Sequence, residues 1–164
     1  MIYDAFCVKM RRANGGREGF TLVEIMIVAS VIALLAVIAV PSVLRAREQA
    51  RGAKFVNAIR VAAGAFEMYI AEHNAYPADV SRGTVPPGMA TYFSKTFDWT
   101  KATPFGGNWD WDYNVFGFTA AVSAVGTNAT AAQMLEIDTK IDNGDLTTGV
   151  FRDMGSGRYS YILE

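Results

Sequence analysis

The sequence predicts an α+β fold in which one long N-terminal helix packs on a small antiparallel sheet. Three observations predict it. Residues 25–44 form an unbroken run without a formal charge. At about 1.5 Å rise per residue that run is about 30 Å of helix, enough to cross a bilayer core. Beyond it, Phe55, Ile59, Ala62, Phe66 and Tyr69 recur at spacings of four, three, four and three, the period of one helix face. In the C-terminal half the period changes to two: Trp109, Trp111, Tyr113 and Val115 alternate with Asp110, Asp112 and Asn114.

The helix is expected to run to about His73, apolar all round in its first half and amphipathic in its second. Pro41 removes a backbone donor and is expected to kink or loosen it near the middle. The helix must stop before Pro77, because the residue preceding a proline disfavours helical backbone. After Pro86, Pro87 and Gly88, residues 89–98 read as a short helix packed by Tyr92, Phe93 and Phe97. Pro104-Phe105-Gly106-Gly107 is a turn. Strands follow at 109–115 and 118–125, then a helix at 128–142 that Asn143-Gly144 ends. A hairpin closes the chain, with residues 150–154 and 158–163 flanking Gly155-Ser156-Gly157.

The net charge of −1 argues against a nucleic-acid binder driven by phosphate contacts. Lys9, Arg11, Arg12 and Arg17 outnumber Asp4 and Glu18 ahead of the apolar run, which favours a cytoplasmic N-terminus. Arg45, Arg47, Arg51 and Lys54 follow the run and weigh the other way. Glu24 is an acid inside the apolar segment, at a cost of roughly 2.5–3.5 kcal/mol on insertion scales, and such a residue is a functional candidate by default. An ordinary secretory signal cut after Ala39 would leave Glu24 unexplained.

Gly19-Phe20-Thr21-Leu22-Val23-Glu24, joined to a basic leader and followed by an apolar helix carrying Pro41, resembles the processing signature of type IV pilins and of type II secretion pseudopilins. The resemblance covers about residues 9–76. It implies cleavage between Gly19 and Phe20 by a prepilin peptidase, methylation of the Phe20 amine, and a role for Glu24 in assembly. Phe20 and Glu24 are one helical turn apart, so the amine of one subunit is expected to neutralise the Glu24 of another. The expected organisation is a leader over 1–19, a transmembrane and assembly half-helix over 20–44, and a globular head over 45–164 that includes the second half of the helix. The expected partners are the membrane, the peptidase, an inner-membrane assembly platform and copies of the chain itself. The subunit would sit in the inner membrane as a single span, then in a periplasmic pseudopilus or a cell-surface pilus. The only cysteine, Cys7, lies in the leader, so no disulfide would staple the head.

Catalysis finds little support. His73 is the only histidine, at the expected helix end, and no phosphate-binding or dinucleotide loop is present. A structural subunit is expected, not an enzyme. Asp110 and Asp112 share one strand face and read as a solvated edge. Asp138, Asp142, Asn143 and Asp145 form the one oxygen-rich cluster, of the kind that suits calcium. The resemblance agrees, since major pseudopilins often bind calcium in a C-terminal loop. The competing functional reading is a membrane-anchored head that binds a ligand without polymerising, with Trp99, Trp109, Trp111, Tyr113 and Phe116 lining the site.

Overall fold

The protein is described by a computed structural model over residues 19–164. Helix α1 spans Leu22–His73, 52 residues, and ends where the proline argument placed its end. The helix continues through Pro41, whose ring leaves one ladder donor missing, and the Ser42 hydroxyl donates to the Ala39 carbonyl at 2.8 Å. The chain divides into two compact units, the first ending at Ser42 and the second running Val43–Glu164. In the first, the large apolar side chains of α1 are exposed, among them Ile25, Ile32, Leu35 and Ile38.

The second unit holds the core. Strands β1 (Asn108–Val115), β2 (Phe118–Val125), β3 (Phe151–Gly155) and β4 (Arg158–Ile162) form one antiparallel sheet in the order β1-β2-β4-β3. Helix α2 (Ala131–Ile141) joins β2 to β3. The expected apolar stripe is the buried face of α1: Phe55, Ile59, Ala62 and Phe66 are fully buried. Phe66 stacks on Trp111 with ring centroids 3.9 Å apart, and Phe55 lies over Trp109 at 5.7 Å. The register explains how a helix approaches a tryptophan-bearing strand. Trp109 pairs with Ala124, Trp111 with Val122 and Tyr113 with Ala120, so each large side chain stands beside a smaller one. The C-terminus is pinned to the exit of α1, where the Tyr76 hydroxyl donates to the Glu164 carboxylate at 2.5 Å.

Two elements differ from expectation. Residues 89–98 do not form a helix; only a 3-10 turn, Met89–Thr91, is present. The aromatics that mimic helical spacing are held by tertiary packing instead, Phe93 edge-on to Phe66 at 6.0 Å and stacked on Trp99 at 5.2 Å. Helix α2 starts at Ala131 because Thr130 caps it, its hydroxyl accepting from the Gln133 N–H while the Gln133 side chain accepts from the Thr130 N–H.

Candidate functional site

Gly19 and Phe20 precede the helix and are exposed, Phe20 to 83%. Among the described residues, a side chain at Gly19 would meet nothing within 4 Å. The first helical hydrogen bond runs from the Ile25 N–H to the Thr21 carbonyl at 3.3 Å. Phe20 therefore lies outside the helix. The expectation that Phe20 and Glu24 share a helix face does not hold in this uncut chain.

Thr21 takes that place instead. Its N–H and its hydroxyl both donate to Glu24 Oε2, at 2.8 and 2.9 Å, and the Glu24 N–H donates back to the Thr21 hydroxyl at 3.2 Å. This is a capping box, which satisfies two of the orphan donors at a helix start. Thr21 is a residue the sequence reading passed over, although Thr-x-x-Glu at the head of an apolar run is its signal. The arrangement holds the carboxylate at the mouth of the apolar segment. No hydrogen bond reaches Glu24 Oε1 among the described residues, so it is free to accept a cation.

The acidic cluster is only partly brought together. Asp138 is fully buried on α2, and neither carboxylate oxygen has a hydrogen-bond partner. Burial pushes its pKa up, and the carboxylates of Asp142 and Asp145 add to this; the N–H groups of Asp145 and Gly144 offset it in part without completing a hydrogen bond. Asp142 faces the same region, but its Oδ2 accepts from the Val150 N–H at 2.5 Å. That oxygen rests against Gly149 at φ 77°, where a Cβ would fall 1.6 Å from it, so only glycine fits. Asn143 and Oδ1 of Asp145 are engaged in their own turn. Asn143 Oδ1 accepts from the Asp145 N–H at 2.9 Å, and Asp145 Oδ1 accepts from the Thr147 N–H and hydroxyl at 3.0 and 2.7 Å. Among the described residues, no three His, Cys, Asp or Glu side chains stand close enough to hold one metal ion. Among the described residues, the carboxylate of Asp138 is left without a hydrogen-bond partner.

Asp110 and Asp112 are not a solvated edge. Both are buried, and Arg158 reaches across from β4 to hold them. Its Nη1 lies 2.7 and 2.6 Å from the two Asp112 oxygens, and its Nη2 lies 2.9 Å from Asp110 Oδ2. The Ser123 hydroxyl donates to Asp112 and stands 2.7 Å from the Ser160 hydroxyl. The physical reason is the strand between them. Opposite the two acids β2 presents Ala121 and Ser123, small enough for an arginine to cross. The aromatic set does not line a site either. Trp99, Trp109 and Trp111 are buried in the core, while Phe116 sits in the β1–β2 turn beneath the Arg158 guanidinium, 4.7 Å from it.

Comparison with known proteins gives the N-terminal geometry its context. Residues 15–40 match the family described as Prokaryotic N-terminal methylation motif. The chain is 35% identical over 88 residues to the Type II secretion system core protein G of Escherichia coli, a stretch covering 49% of this chain and 61% of that protein. It is 37% identical over 62 residues to the Pseudomonas aeruginosa protein of the same name, covering 38% of this chain and 44% of the relative. It is 36% identical over 62 residues to the Type IV wide pilus major component PilA4 of Thermus thermophilus, covering 38% and 47%. The chain thus spans between about two fifths and three fifths of these relatives' lengths. No solved structure matches it. With the methylation motif at the head of an apolar helix, these relatives, and a long helix packed on a four-stranded antiparallel sheet, the chain is similar to type IV pilins and type II secretion pseudopilins.

Proposed function

We propose that the chain is a structural filament subunit, cut between Gly19 and Phe20, methylated on the Phe20 amine, and polymerised through the first half of α1. One observation carries this reading: the apolar half of α1 is exposed throughout, and it begins at a capped carboxylate, Glu24. A surface of that kind is satisfied by lipid or by copies of itself. The residues of 20–44 serve first as a single inner-membrane span and then as the packing surface of the polymer. The new Phe20 amine of an incoming subunit neutralises the open oxygen of Glu24 in a subunit already placed, which sets the axial register. A prepilin peptidase and an inner-membrane assembly platform are the partners this cycle requires, with the N-terminus starting in the cytoplasm.

Of the two filament types, the secretion pseudopilus has the stronger support. Similarity to core protein G runs over 88 residues in the Escherichia coli protein and over 62 in the Pseudomonas aeruginosa one, and similarity to the pilus component over 62. The alternative of a non-polymerising ligand-binding head loses its candidate site, since the three tryptophans are core. A calcium ion belongs to this reading as a head-stabilising group, held by Asp138 and Asp142; the observation in its favour is the unpartnered Asp138 carboxylate.

Intact mass and N-terminal sequencing of protein from the native membrane test the proposal. The expected product starts at methylated Phe20 and is recovered in sheared filaments. A mature chain starting at Val40, or a retained Met1, overturns the cleavage site.

A further inference from the structure

A groove of about 410 Å³ lies between the second half of α1 and residues 95–104. Its floor is apolar, formed by Val61, Phe97 and Trp109, and its rim carries Lys54, Lys95 and Lys101. Lys54 and Lys95 are exposed and make no ion pair among the described residues. Lys101 shares Asp98 at 3.4 Å, the only carboxylate in the lining. Three ammonium groups against one carboxylate leave the groove a net +2. Among the described residues, the charges of Lys54 and Lys95 are not used in an ion pair within the chain.

Trp109 belongs to β1, so the groove opens at the β1 edge of the sheet. At the opposite edge, beside β3, the chain carries a complementary feature. Asp145 and Asp153 are both exposed, and their segments are tied together by the Asp153 N–H donating to the Leu146 carbonyl at 2.9 Å. Among the described residues, neither is in an ion pair with a lysine or arginine. Two carboxylates match the groove's excess. A single molecule cannot join them, because β1 and β3 are the two outer strands. Contact between unlike patches of two copies is heterologous, and such contacts generate rings or open helical filaments.

We infer that the lysine groove at the β1 edge receives the Asp145–Asp153 rim of a second copy, an inference that rests on the filament reading above. The contact would supply head-to-head register beyond what α1 packing provides. Like-charge substitution would then weaken lateral docking, as rim charges tune encounter and register.

The test uses the full chain in cells carrying its assembly machinery, with leader cleavage and sheared filament yield read separately. Lys95→Glu with Lys101→Glu is expected to lower filament yield about tenfold, the effect of losing roughly 1.4 kcal/mol of contact, with cleavage unchanged. Asp145→Lys with Asp153→Lys is expected to do the same. All four changes together should return yield to within about threefold of the parent, since paired charges couple non-additively. A folding defect at either edge would not be cured by changing the other. Unchanged yield in the two double variants, or no recovery when they are combined, overturns the inference while the filament reading stands. Recovery of the lysine variant by Glu67→Lys instead would place an acid of α1 in the groove and overturn it too. No filament from the parent chain removes the filament reading and this inference with it.

Discussion

Glu24 and Asp138 are both acids placed where a charge is costly, and the fold treats them differently. Glu24 is tied into a capping box by Thr21, and that box needs only an acceptor at its position, so glutamine serves it nearly as well. Glu24→Gln therefore separates local helix capping from charge. We expect it to insert and to be cleaved, yet to accumulate in the membrane with few sheared filaments, like Glu24→Ala. Normal filament yield from Glu24→Gln would show that the cap, not the charge, is what assembly requires. Asp138 is buried without a partner, and its pKa is raised chiefly by that burial. In the unfolded chain the carboxyl gives up its proton near pH 4, whereas the fold holds it to higher pH. The folded state thus binds more protons across that window, so stability falls as pH rises through it. Asp138→Asn should flatten this slope in melts taken from about pH 4 to 7, leaving a remainder from Asp110, whose pKa burial also raises. Calcium at neutral pH should raise the parent's melting temperature and leave that of Asp138→Asn unmoved; a parent indifferent to calcium and chelator would remove the ion from this site.

At the scale of elements, the sheet is held on one face by aromatics and on the other by an ion network. Arg158 bridges two carboxylates on β1 from two strands away, with the carboxylates buried and its own side chain partly so. Breaking such a pair leaves buried charge without compensation, at roughly 3–5 kcal/mol. Arg158→Ala is expected to cost that much in denaturant unfolding. Arg152→Ala, exposed on β3 and bonded only to the Gly149 carbonyl, is expected to stay within about 0.5 kcal/mol. Equal effects from the two would mean that the network contributes no more than surface polarity.

The whole molecule separates into an apolar half-helix and a head that closes its own core. Phe55, Ile59, Ala62 and Phe66, together with the sheet, bury one another without help from residues before Val43. A fragment of residues 45–164 is expected to be soluble and to melt cooperatively, as small single domains do. A broad, non-cooperative transition by circular dichroism would show that the first half of α1 is needed for folding.

Much of this was legible in the residues alone, because it rests on short-range periodicity. The length of α1 follows from an uncharged run and a proline at 77; strands at 109–115 and 118–125 follow from alternation and a glycine; the proposed processing site rests on six consecutive residues. Even the Thr21 cap was written in the spacing of Thr21 and Glu24. What the tertiary structure alone decided concerns groups far apart in sequence. Alternation put Asp110 and Asp112 on one strand face, but did not show what would cover them. That depended on β4 lying next to β2, with Ser160 opposite Ser123, so that Arg158 meets acids 46 and 48 positions earlier. Likewise the sequence places Asp138 and Asp142 on one helix face, but only the packing of α2 buries the first and leaves the second exposed. Strand order and burial are sums over the whole chain, and no local pattern carries them.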